Sequence, residues 1–109
     1  MPVQLADVTG GTVTPGLTAT GSIASNAFPL SLDDFHLFTT VAAGTGCIFS
    51  QPYAPSDEVA FANQGANPLN IFPISTGAMN GGAAGWPIQL AAGASIRLKT
   101  VDGINWWAI

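Results

Sequence analysis

The sequence predicts an all-β fold: a small antiparallel β-sandwich or barrel of jelly-roll-like outline, with seven to nine short strands and an extended N-terminal arm. Three observations point there. Apolar and polar residues alternate with period two over short runs, as in "FHLFTTVAA" and "SIRLKTV". Turn residues interrupt those runs repeatedly, with 13 Gly and 8 Pro in 109 residues. No window repeats apolar residues at spacings of three and four, so no amphipathic helix is expected.

Taken in order, residues 1 to 16 ("MPVQLADVTGGTVTPG") contain Gly10-Gly11 and Pro15-Gly16 without sustained periodicity and read as an arm. Residues 17 to 109 then form one domain. "LTATGSIAS" (17–25) is β-prone, and "AFPLSL" (27–32) is an edge strand or strand start because Pro29 cannot donate to a central ladder. In "FHLFTTVAA" (35–43), Phe35, Leu37, Thr39 and Val41 share one face, and His36, Phe38 and Thr40 the other. Gly44-Thr45-Gly46 turns the chain into "CIFS" (47–50), and "QPYAPS" (51–56) is a Pro-rich connection. "DEVAFAN" (57–63) points Val59 and Phe61 one way, and "PLNIFP" (68–73) groups Leu69 with Ile71. The intervening "NQGAN" is expected to close these two runs into a hairpin. "ISTGAMNGGAAG" is a loop of small residues with room for a brief strand at 78–80. Ala92-Gly93 turns into "SIRLKTV", where Ile96 and Leu98 face the core while Arg97 and Lys99 face outwards. Asp102-Gly103 reads as a two-residue hairpin turn into "INWWAI".

The chain is 48% apolar and only 7% charged, against about 25% charged in an ordinary soluble protein. A folded monomer of this mass exposes roughly 5,700 Å², or about 700 Å² per charged residue. Two readings remain for that surface: a neutral one rich in Ser, Thr, Asn and Gly, or one that lies against other copies or another protein. The second is preferred. A net charge of −4 with Arg97 and Lys99 as the only cations argues against nucleic acid, whose phosphates require several. Gly, Pro and Asn break every uncharged stretch before about 20 apolar residues accumulate, so no membrane helix is expected. The N-terminus lacks the basic and apolar regions of a secretory signal, and Cys47 has no partner for an internal disulfide. Synthesis in a reducing compartment fits, as does a processed chain.

Titratable groups cluster once, in "SLDDFH" (31–36). Two carboxylates and an imidazole are a possible metal or acid–base set, but strand alternation puts Asp33 opposite Asp34 and His36, and Asp-Asp also fits a turn. Cys47 with His36 would make a nucleophile and base; beside Ile48 and Phe49, however, the thiol reads as a core residue. No serine carries flanking glycines of a nucleophile elbow, and "GAMNGGAAG" lacks a P-loop lysine. No catalytic residue, metal or cofactor is therefore assigned. Trp106-Trp107, with Trp86 and Tyr53, offer a different chemistry. Adjacent strand residues face opposite ways, so one tryptophan of the pair fills the core and the other faces outwards. The outward ring would stack on a sugar or anchor a subunit interface; with few charges and no Asp/Asn cluster around the pair, an interface is preferred.

Residues 18 to 109 resemble small structural proteins encoded by tailed bacteriophages and prophages. The resemblance rests on "TTVAAGTG" (39–46), the "DEV…N.GAN.L.IFP" pattern (57–73), a Thr…Asn-Gly turn (76–81), "LAAG.S" (90–95) and a C-terminal Trp-Ala element at Trp107–Ala108. The sequence departs from the pattern at Ser56-Asp57, where similar chains often carry Gly-Asp, and in its Cys47 and doubled tryptophan. The resemblance implies a non-enzymatic capsid decoration (cement) protein. Such a protein would be assembled in the bacterial cytoplasm and placed on the capsid exterior, as a trimer or alternatively a dimer, against the major capsid protein. The expected contact residues are Val3, Leu5 and Val8 of the arm, with Phe38, Trp106, Trp107 and Ile109. The alternative is a tail or fibre module that binds host glycan through an exposed tryptophan.

Overall fold

The computed structural model describes residues 13–109, and Val3, Leu5 and Val8 lie outside them. The fold is all-β. Nine strands occur among the described residues: β1 (Val13–Thr18), β2 (Phe28–Leu30), β3 (Phe35–Thr40), β4 (Gly46–Phe49), β5 (Glu58–Asn63), β6 (Leu69–Phe72), β7 (Ile88–Leu90), β8 (Ser95–Thr100) and β9 (Trp106–Ala108). One helical turn occurs among the described residues, a 3₁₀ segment at Ala24–Asn26. The expected arm therefore overlaps structure at its end, because residues 13 to 16 belong to β1. Pro15 and Gly16 are accommodated there by register shifts, with Gly16 at φ 70°.

The strands form two mixed sheets, one ordered β1-β3-β5-β8-β9 and the other β2-β4-β6-β7. Pairing is not antiparallel throughout, as the sequence suggested. β1/β3, β3/β5, β2/β4 and β4/β6 are parallel, and only β5/β8, β6/β7 and β8/β9 are antiparallel. The reason is connectivity: from β1 to β6, each strand crosses to the other sheet before the next returns beside its predecessor but one. Short strands with period-two alternation look the same in either arrangement; only the connections differ.

The expected hairpin between Val59/Phe61 and Leu69/Ile71 is absent for the same reason: β5 and β6 lie in different sheets. The "NQGAN" stretch is a crossover pinned by the buried Asn63 side chain. Its Nδ2 donates to the Asn67 carbonyl at 2.9 Å and the Leu90 carbonyl at 3.0 Å, and its Oδ1 accepts from the Gly65 N–H at 2.9 Å. The β8/β9 hairpin does form, but through residues 101 to 105 rather than a two-residue turn. Asp102 Oδ1 accepts from the N–H groups of Ile104 and Asn105 at 3.1 and 2.9 Å, which closes this wider loop.

Between the sheets lies one core. Phe38, Val59, Phe61, Leu98 and Trp106 enter it from the five-stranded sheet, and Leu30, Cys47, Phe49, Leu69, Ile71 and Leu90 from the other. Burying each large apolar side chain contributes roughly 1.5–3 kcal/mol. Val59 and Phe61 alternate inwards as expected, while in β8 it is Leu98 and Thr100 that are fully enclosed and Ile96 only half so.

Candidate functional site

The polar residues of "SLDDFH" divide between a turn and the core. Ser31 Oγ donates to Asp33 Oδ2 at 2.6 Å, a local turn contact. His36 is wholly buried and stacks on Phe61, with ring centroids 5.1 Å apart. The Tyr53 hydroxyl donates to the Asp33 carbonyl at 2.6 Å and lies 3.5 Å from His36 Nε2. The same hydroxyl lies 3.2 Å from the Ser31 carbonyl, so the Tyr53 oxygen ties the 31–33 turn to the His36 ring. Nδ1 has no hydrogen-bond partner among the described residues. Burial pushes His36 below its ordinary value against the opposing pull of Asp33 and Asp34. Burial also raises Tyr53, with Asp34, Asp33 and Asp57 adding to the effect. This is an imidazole held neutral inside the fold, with no atom offered to a substrate at the surface. Cys47 is equally enclosed, and burial raises its thiol well above the reactive range. Among the described residues, no three His, Cys, Asp or Glu side chains gather as a metal site.

The accessible features are two faces. On the outer side of the five-stranded sheet, register aligns Val13, Phe35, Ala60 and Arg97 across β1, β3, β5 and β8. A second row aligns Glu58, Lys99 and Trp107. Arg97 and Lys99 both reach Glu58, at 3.0 and 3.5 Å. Ile109 continues past β9, its N–H donating to the Arg97 carbonyl at 3.0 Å. Because Ala60 and Ala62 are small, a groove of about 460 Å³ opens between Phe35, Ser95, Arg97 and Ile109. Ile109, which lines it, is 63% exposed, and Val13 and Trp107 in the aligned rows are 57% and 42% exposed.

Of the contact residues expected from the sequence, Trp107 and Ile109 are on this face. Phe38 and Trp106 are not at the surface: they are core residues at 0% and 1% exposure. In each case, alternation placed the neighbouring residue outside and this one inside. The tryptophan pair thus splits as expected, Trp106 in and Trp107 out.

The second face belongs to the four-stranded sheet. A groove of about 380 Å³ runs between Ser22-Ile23 and Trp86-Pro87 over a floor of Asn70 and Phe72. Trp86 is 69% exposed and Ile23 57%. Trp86 was visible in the sequence, but its partners were not, because nothing in the sequence places the 22–24 segment beside the 85–87 loop. Its setting between Gly85 and Pro87 was the available signal: neither neighbour suits a paired strand.

Among the described residues, the outer strands of both sheets have blunted edges. β2 and β7 have three residues each, and Pro29 sits in β2. β1 carries Pro15 and the bulge at Gly16. β9 is covered by the 78–80 segment: Trp106 N–H donates to Ala78 O at 3.0 Å, and Asn80 N–H to Trp106 O at 2.7 Å. In addition, Ala108 N–H donates to Asn80 Oδ1 at 2.8 Å. The brief strand expected near 78–80 is a single bridge, Met79 to Trp106. Such edges resist strand addition, which leaves faces as the surfaces for association. Comparison with known proteins finds no matching family model, no matching curated protein and no matching solved structure.

Proposed function

We propose that the chain is a non-enzymatic structural protein of a tailed-bacteriophage virion, a capsid decoration protein that binds the major capsid lattice as an oligomer. In this reading the two-sheet fold is a sandwich, jelly-roll-like in its two-layer outline while its crossovers are parallel. The working form is a homo-oligomer, trimer before dimer, on the capsid exterior.

The observation that carries the proposal is the outer face of the five-stranded sheet. Val13, Phe35, Ala60, Ala62, Trp107 and Ile109 present apolar surface there, and the only charges in the two aligned rows are Glu58, Arg97 and Lys99. Contiguous apolar surface of this kind marks interaction sites in soluble proteins. Each square ångström covered contributes roughly 25 cal/mol, and repetition around a symmetry axis multiplies modest contacts into firm attachment. The low charge of the whole chain and the blunted sheet edges fit the same picture, in which copies meet through faces and do not polymerise through strands. The resemblance in turns and apolar positions supplies the virion setting.

The test is sedimentation of the purified protein with empty mature capsids of the phage or prophage that encodes it. Stoichiometric co-sedimentation, reduced by Trp107→Ser, is the expected result. A protein that stays monomeric and in the supernatant at high concentration overturns the proposal.

A further inference from the structure

We infer that the groove beneath Trp86, on the four-stranded sheet, is a binding site for a neutral pyranose unit of a polysaccharide. The site is preformed. Gly85 N–H donates to Gly77 O at 2.9 Å and Trp86 N–H to Ala83 O at 3.2 Å, which fixes one wall. The opposite wall is held by Ile23 N–H donating to Asn26 Oδ1 at 3.0 Å and Asn26 N–H donating to Ile23 O at 3.2 Å. The floor is fixed as well: Gln89 Nε2 donates to Asn70 Oδ1 at 3.1 Å and Asn70 Nδ2 donates to the Gly44 and Thr45 carbonyls at 3.4 Å, so the amide plane is oriented and Oδ1 keeps one acceptor position. Gly46 lies directly against Asn70 and Phe72, where a Cβ would collide with the Asn70 carbonyl at 2.6 Å.

A wall that holds an indole 69% exposed over an ordered floor fits a ligand with one flat apolar side. No ionisable side chain lines the groove; its polar groups are the Ser22 hydroxyl, the Asn70 amide and main-chain atoms. That neutrality argues against phosphate, carboxylate and ammonium ligands, which need a countercharge when desolvated. A neutral pyranose matches both halves of the lining. Its axial C–H face packs on an indole, and its ring hydroxyls both donate and accept, as amides and hydroxyls do. The volume of about 380 Å³ is in the range of small-ligand sites. This groove and the proposed capsid-facing surface lie on different sheets, so neither inference depends on the other.

The experiment is a calorimetric titration of the full chain with neutral gluco-, galacto- and N-acetylglucosamine oligosaccharides, a readout that does not depend on Trp86 itself. The expected result is a saturable heat of binding with at least one series. Trp86→Ala and Asn70→Ala should weaken it by about tenfold or more, Trp86→Tyr should retain it and Trp107→Ala should leave it unchanged. A thermal midpoint equal to wild type in Trp86→Ala shows that the loss is local. Absence of saturable change with all three series up to about 10 mM overturns the inference. Wild-type sugar affinity in Trp86→Ala overturns it too, as does a Trp86→Ala variant that loses self-association or capsid binding but not sugar.

Discussion

Phe49 and Trp106 stack face to face between the two sheets, their ring centroids 4.6 Å apart and their planes 9° from parallel. Tyr53 and Phe61 close the stack edge-on, Tyr53 against Trp106 at 5.3 Å and Phe61 against Phe49 at 5.8 Å. This cluster joins β9, at the end of the chain, to β4 in the opposite sheet, so the last strand completes the core. Replacing Trp106 by Ala leaves a cavity that its neighbours cannot fill, at a cost of about 3–5 kcal/mol. That is a large share of the roughly 5–15 kcal/mol typical of a domain. Trp107→Ala, at the adjacent position, is expected to change stability by about 1 kcal/mol at most. Urea midpoints of the two variants measure the difference, and equal losses would contradict the inward–outward division of the pair.

Two glycines with similar backbones separate torsional cost from steric cost. Gly44 and Gly103 both have positive φ, 78° and 89°. A Cβ on Gly44 meets nothing within 4 Å, whereas one on Gly103 would overlap the Tyr53 carbonyl. Gly44→Ala therefore carries only the left-handed penalty, about 1–2 kcal/mol. Gly103→Ala must also displace the 51–56 connection and the Tyr53 N–H···O=C Gly103 bond of 3.1 Å, and is expected to cost at least about 1 kcal/mol more than Gly44→Ala. Thermal unfolding of both variants side by side is the measurement.

Strand positions were largely legible in the sequence because alternation and turn residues are local signals. "FHLFTT", "EVAFAN" and "SIRLKT" each became a strand, and Pro29 did mark an edge. Strand partners were not legible. Val59/Phe61 and Leu69/Ile71 are complementary apolar pairs separated by a turn, which suits a hairpin and a crossover between layers equally well. The crossover is pinned by Asn63, whose buried amide bonds the Asn67 carbonyl in the same connection and the Leu90 carbonyl in the other sheet, and a single sequence does not show which way an asparagine at a strand end points. The interaction faces were half legible for a similar reason. Alternation could split Trp106 from Trp107, but the choice of Phe38 over Phe35 as the outward residue required knowing which side of β3 the second sheet covers.

The buried imidazole makes stability depend on pH in a defined direction. In the folded chain, His36 binds its proton less readily than the ordinary histidine value of 6.5 because burial dominates. The unfolded chain binds it first, so stability is complete above about pH 6.5 and falls as the pH drops towards the lowered folded value. The charged ring would carry an Nδ1–H donor without an acceptor among the described residues. Glu58 and Asp102 act in a separate, lower window. Hydrogen bonds from Arg97 and from the Asn105 backbone hold their carboxyls below the usual range, so their contribution is lost only as the pH falls through those depressed values. Chemical denaturation across the pH range should show a decline that begins near pH 6.5, and His36→Phe should abolish that upper part while leaving the acid limb. An unchanged slope in His36→Phe would contradict the buried neutral imidazole.

Asn63 connects both sheets, and two substitutions test that role differently. Asn63→Ala removes three hydrogen bonds and leaves the Leu90 carbonyl, the Asn67 carbonyl and the Gly65 N–H to find other partners. Each buried group left unsatisfied costs about 1–3 kcal/mol. Asn63→Asp keeps the shape but places a carboxylate oxygen against two carbonyls, so it is expected to destabilise at neutral pH and to recover partly in acid, where a protonated carboxyl can donate again. Recovery of the Asn63→Asp midpoint on lowering the pH, against a falling wild-type midpoint, is the diagnostic result.

The outer face of the five-stranded sheet makes the proposed assembly testable without capsids. Ala62 lies on that face, in register with Leu37 on one side and Ser95 on the other, and lines the groove that also includes Phe35 and Ile109. A glutamate there projects into the groove, not into the core, because Phe61 and Asn63 on either side of it take the buried positions. Unfolding of an Ala62→Glu monomer should therefore stay within about 1 kcal/mol of wild type. An interface built on this groove would have to desolvate the added carboxylate, and Arg97 and Lys99 are already engaged by Glu58. Burying an unpaired charge costs several kcal/mol, and about 4 kcal/mol corresponds to roughly a thousandfold weaker association. Sedimentation equilibrium should show wild type as an oligomer and Ala62→Glu as a monomer at the same concentration. If Ala62→Glu assembles like wild type, copies of the chain do not meet through this face.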